Sequence, residues 1–186
     1  MSKQYTVHLP EDLAPLKAIL TSSAERTRSK IHAISSVPDP LILLSEFKYN
    51  DTGCDPLDPE RDLNLIEQVN QTFTYWATFE AVEYLFKKHP SIKSLTLNLG
   101  TQGGSDIGSA DDGGIAAEVF ATTSPQSNDK LRKDVKKVSG STAKYKYVFF
   151  SCPDYPSGIE KSDYRYPDVK IVSVGIYEGS QPIKRI

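Results

Sequence analysis

Leu95-Thr-Leu-Asn-Leu-Gly100-Thr-Gln-Gly-Gly-Ser-Asp106-Ile-Gly-Ser-Ala110-Asp-Asp-Gly-Gly-Ile115-Ala-Ala-Glu118-Val-Phe-Ala121-Thr-Thr is the stretch whose reading decides the fold. Leu95, Leu97 and Leu99 alternate with polar residues, the period of a strand with one buried face. Ile115 to Thr122 is apolar enough for a buried strand. Between them Asp111-Asp112-Gly113-Gly114 is a turn signal, because Asp tolerates turn geometry and Gly supplies positive φ. Asp106 precedes that turn, and Glu118 follows it by twelve residues within the second strand. Two carboxylates on adjacent strands can hold a hard divalent cation, which takes oxygen ligands and keeps some waters. Such an ion can activate water against a phosphodiester. The alternative is that Asp106 caps a turn and Glu118 faces solvent.

Downstream, Pro125 to Asn128 signals a helix start. Asp129 to Val138 reads as a short basic helix carrying Lys130, Arg132, Lys133, Lys136 and Lys137, with Leu131, Val135 and Val138 as its apolar side. Lys144 to Phe150 and Val169 to Tyr177 read as strands. Upstream, Glu60 to His89 is the longest helical pattern, and Pro90 closes it. Trp76 is expected in the core. Glu67, Gln71, Thr74 and Thr78 recur at helical spacing on one face, which makes Glu67 a candidate third carboxylate for a metal. A helix from about Leu9 to Ser35 carries Arg26, Arg28 and Lys30 on its polar side. From Ser36 to Glu60, Pro38, Pro40, Pro56 and Pro59 argue against helix, and Leu41 to Leu44 is expected to be buried. The order of elements predicts an α/β protein with a mixed β-sheet flanked by α-helices.

The 186 residues suit one domain, 1–186, with an N-terminal helical segment. Cys54 and Cys152 lack metal-ligand spacing and read as free thiols of a reducing cytoplasm. No apolar run approaches the roughly 20 residues needed to span a bilayer. Net charge is −2, without the basic excess of an autonomous DNA binder. If the chain acts on DNA, a partner is expected to bring it there. The basic N-terminal helix and Tyr155, Tyr164 and Tyr166 are candidate interface residues.

The run of strand, Asp106-Ile107, turn, Ala117-Glu118-Val119-Phe120, basic helix and strand resembles the PD-(D/E)XK restriction-endonuclease-like fold. Asp106 and Glu118 match its acidic pair, and Phe120 stands where the family has a lysine. Glu67 to Tyr75, Ala117 to Ala121, Ser127 to Leu131 and Lys146 to Phe150 are together similar to the small, catalytic subunits of heterodimeric type IIS restriction endonucleases. The resemblance implies a Mg²⁺-dependent endonuclease subunit, with Mn²⁺ as a substitute ion. It would cut one strand of double-stranded DNA while a large recognition and nicking subunit reads the site. Asp106, Glu118, the Val119 carbonyl and Glu67 would hold metal. Lys130 would replace the missing lysine, with Lys133 as its rival. Two other functions stay open: a non-catalytic interaction subunit on a decayed nuclease fold, and an autonomous repair nuclease of the same fold.

Overall fold

The computed structural model describes residues 3–100, 103–109, 114–125, 127–163 and 165–175. The expected turn at Asp111 to Gly113, Tyr164, and the end of the last expected strand lie outside them. In chain order the elements are β1 (Gln4–Val7), a 3₁₀ turn (Pro10–Leu13), α1 (Ala14–Ile34), α2 (Pro40–Tyr49), β2 (Gly53–Asp55) and β3 (Asp58–Leu63). They continue with α3 (Leu65–Lys88), β4 (Leu95–Asn98), β5 (Ile107–Ser109), β6 (Ile115–Ala121), α4 (Lys130–Ser139), β7 (Tyr145–Ser151), β8 (Glu160–Ser162) and β9 (Val169–Val174). The chain divides into a helical unit, Glu11–Phe73, and a sheet unit, Met1–Pro10 with Thr74–Ile186.

The helical unit holds α1, α2, the β2–β3 hairpin and the first turns of α3. Its centre is a buried polar cluster, which needs internal partners because it has no water to bond. Gln68 is 3% exposed. Its Oε1 accepts the Cys54 N–H at 3.0 Å and the Thr27 hydroxyl at 2.5 Å. The Ser23 hydroxyl donates to the Asp55 carbonyl at 2.9 Å. Gly53 has to be glycine here, since a Cβ would lie 2.7 Å from Gln68 Oε1 and 2.9 Å from the Asn64 carbonyl oxygen. The basic residues of α1 are engaged inside the unit: Arg26 pairs with Glu60 at 2.6 Å, Arg28 with Glu25 and Lys30 with Asp62 at 2.6 Å.

Two expectations are corrected in this unit. Leu41 to Leu44 is neither buried nor part of an irregular connection. It opens α2, whose N-cap Asp39 accepts from the Leu41 and Ile42 N–H groups. Pro40 sits in the first helical turn, where its missing N–H costs nothing and its φ is already helical. Leu41 is 75% exposed and Leu44 59%. The helix expected from Glu60 instead begins at Leu65. Asp58–Leu63 pairs antiparallel with β2, and Asn64 accepts the Glu67 N–H at 2.8 Å.

The sheet unit is α/β, with a mixed sheet ordered β1-β4-β5-β6-β7-β9-β8. β1, β4, β5 and β6 are mutually antiparallel along that order, β6, β7 and β9 are parallel, and β8 returns antiparallel to β9. Side chains alternate across a strand, and β7 uses both faces. On one, Tyr147 and Phe149 meet Tyr84 of α3, the Phe149 ring centroid 5.5 Å away. On the other, Val148 and Phe150 join Phe120, Val135, Val138 and Val169 in a core beneath α4. Helices therefore cover both faces, as expected for strands that are apolar throughout. Tyr155 and Tyr166, expected at an interface, pack against the α4 core.

Candidate functional site

β5 is short. Its register with β6 pairs Ile107 with Ala117 and Gly108 with Ala116, so β6 runs on past the end of β5. Continuing that register sets Asp106 opposite Glu118. Asp106 occupies the ladder position that β5 leaves, and its Oδ2 accepts the Val119 N–H at 2.8 Å. Like charges directly opposite across a strand pair repel, and this pair is also withdrawn from water. Burial raises the Asp106 carboxyl above the usual aspartate range, against the Val119 N–H and the lysines, which lower it. Burial, then the neighbouring Asp106, push Glu118 up to about 7.

α4 crosses over this pair. Lys130, Asp134 and Lys137 recur at i, i+4 and i+7 and so share one flank. Lys137 Nζ donates to Glu118 Oε2 at 2.7 Å, and Lys130 Nζ donates to Asp134 Oδ1 at 2.8 Å. The lysine side chains are half exposed, whereas those of Glu118 and Asp134 are only 3% and 5% exposed. The second oxygens, Glu118 Oε1 and Asp134 Oδ2, are buried with no hydrogen-bond partner among the described residues. Buried carboxylate oxygens are normally paired, so two such orphans within one electrostatic cluster are unusual. The alternative in which Glu118 faces solvent is excluded: the residue is 2% exposed.

Four of the expected site residues, Asp106, Glu118, Val119 and Lys130, belong to this cluster in the sheet unit. Phe120 is buried in the core, and Lys130 Nζ stands 6.0 Å from its ring centroid. Lys133 points elsewhere, donating to the Asn128 carbonyl. Glu67 lies in the helical unit, exposed on the first turn of α3, where its Oε1 accepts the Gln71 amide at 3.0 Å. Asp134 and Lys137 are further members of the cluster that the sequence pattern alone does not mark as site residues. Their helical spacing from Lys130 was the available signal, but only the packing of α4 shows which flank meets β6. Among the described residues, no three His, Cys, Asp or Glu side chains form a group placed to hold a metal ion. No described helix is long and apolar enough to cross a membrane. Comparison with models of protein families, with curated proteins and with solved structures finds no match for the chain.

Proposed function

We propose that the chain is a Mg²⁺-dependent endonuclease subunit with a restriction-endonuclease-like core, cutting one strand of double-stranded DNA in the cytoplasm while a large partner subunit supplies site recognition. The observation that carries this reading is the apposition of Asp106 and Glu118 with a buried, unpartnered Glu118 oxygen. Supporting it is the order of a strand (β4), Asp106, β6, α4 and β7, the order on which the resemblance to nucleases of this class rests.

The residues fit the ion. Mg²⁺ is commonly held by one or two carboxylates with retained waters and substrate oxygens, not by a full protein cage. Asp106, Glu118 and the Val119 carbonyl are the ligands in this reading, all from the sheet unit, with Glu67 outside the set. A bound Mg²⁺ would supply a more acidic water as nucleophile and offset charge on the phosphoryl oxygens. The chain's own contribution is position and charge. Asp106, anchored by the Val119 N–H just before β5, and Glu118, fixed within β6, present their carboxylates side by side. Lys130 and Lys137 place two ammonium groups at the mouth of the cluster, where they attract and orient the phosphate. Between them they stand in for the lysine that Phe120 displaces.

With the partner subunit and a plasmid substrate, Asp106→Ala and Glu118→Ala are expected to abolish cutting of one strand and spare the other. Undiminished cutting of both strands by both variants refutes the assignment. Phe120 in the lysine position favours a second reading, a non-catalytic interaction subunit. Calorimetric titration with Mg²⁺ and Mn²⁺ separates the two, because only a working site gives a heat that Glu118→Gln removes.

A further inference from the structure

α4 has a second flank. Arg132 and Lys136, four residues apart, face away from Glu118 and line a recess of about 440 Å³ with Leu131, Val135, Arg165 and Tyr166. That volume lies within the range of small-ligand sites. Leu131 and Tyr166 are half-buried and rest on the core beneath α4, so the floor is apolar and firm. Arg132, Lys136 and Arg165 are exposed at its rim.

Two acids also line the recess, and both are engaged. Asp129 pairs with Arg132 at 2.7 Å. Asp163 Oδ1 accepts the Arg165 and Tyr166 N–H groups at 2.7 and 3.1 Å, which fixes the loop that carries them. Lys136 makes no ion pair among the described residues. Cationic charge is concentrated here: the ten residues of α4 hold five of the chain's 22 Lys and Arg, in a chain of net charge −2.

We propose that this recess binds the sugar–phosphate backbone of the substrate DNA beside the cut site. The deoxyribose would lie against Tyr166 and Leu131, and a phosphate between Lys136 and Arg165. A helix with its side chains is about 10 Å across, so a strand bound at Asp106 and Glu118 reaches the recess by crossing exposed Lys133. The proposal rests on the nuclease reading and gives α4 two roles, one on each flank.

The test is fluorescence anisotropy of a labelled DNA duplex against the full chain, without divalent metal, over a series of salt concentrations. The variants are Lys136→Ala with Arg165→Ala, against Lys87→Ala with Lys93→Ala, two exposed lysines outside the recess, as a control that removes the same charge. Removing the two cations is expected to weaken binding about tenfold or more at low salt. It is also expected to lower the slope of log K against log salt by about one for each phosphate that is no longer neutralised. The control is expected to change the slope little. Inorganic phosphate and a free deoxynucleotide are run as competitors. Displacement of the duplex by either at low millimolar concentration would assign the recess to a small phosphate ligand and overturn the proposal. So would an unchanged affinity and slope in the double variant, or no duplex binding by the wild type even at low salt. A thermal melt of each variant establishes that it is folded. If the double variant loses binding while Asp106→Ala and Glu118→Ala still cut, the recess stands and the cleavage site falls.

Discussion

Glu118→Gln should stabilise the protein while removing its proposed activity. The carboxyl is nearly excluded from solvent, lies beside Asp106 and is pushed from its ordinary value near 4.5 up to about 7. Each factor of ten in a proton equilibrium is worth about 1.4 kcal/mol, so ionising Glu118 in the folded chain costs about 3 kcal/mol relative to the unfolded chain. Because the folded value is raised, the native state binds more protons than the unfolded state between pH 4.5 and 7, and stability falls as pH rises through that window. The cost is absent below about pH 4.5 and fully present above about pH 7. The amide keeps the shape of the side chain and an oxygen for Lys137 without the charge. Glu118→Gln should therefore match the wild type near pH 4 and exceed it by about 3 kcal/mol at pH 8. For a chain of this length that is a rise of roughly 6–12 °C in Tm. Thermal melts of both proteins across pH 4 to 8.5 measure it, and Mg²⁺ should raise the Tm of the wild type only. Equal stability at pH 8, or a difference that stays constant from pH 4 to 8, would refute the account of a strained carboxylate held for function.

Lys137→Met should act in the opposite sense. Without its partner the buried Glu118 carboxylate is worse off, so stability should fall by on the order of 1 kcal/mol at pH 8 for this half-exposed lysine and change little at pH 4, as urea titrations at the two pH values will show. In the helical unit, Gln68→Leu leaves the Cys54 N–H without its acceptor, while the Thr27 hydroxyl keeps the Ser23 carbonyl at 3.1 Å, a loss of about 1–3 kcal/mol in chemical denaturation. Leu41→Lys with Leu44→Lys should leave stability within about 0.5 kcal/mol, because both side chains are exposed. A loss of several kcal/mol would mean that α2 is packed inward after all.

Much of the fold was legible in local pattern. Alternation marked β4, the unbroken apolar run marked β6, and helical periodicity with Pro90 beyond its end marked α3, because backbone period and chain-breaking residues act over a few neighbours. The expectation fails at α2, because proline breaks a helix only in its interior and Pro40 sits in the first turn. It also fails over the burial of Leu41 and Leu44. Apolar character sets a preference for burial, but only the presence of a neighbouring surface decides whether it is met.

For the site, the sequence by itself marked the two acids and the strand that carries Glu118, but not β5, the short strand whose register with β6 sets Asp106 opposite Glu118. The tertiary structure decided the rest. It laid α4 across β6, so that Lys137 and Asp134 joined the carboxylates while Lys133 and the Arg132–Lys136 flank turned elsewhere. It also placed Phe120 in the core and Glu67 in the other unit. Strand register follows from residues close in the chain, whereas the flank a helix offers to a sheet depends on how its whole apolar side packs.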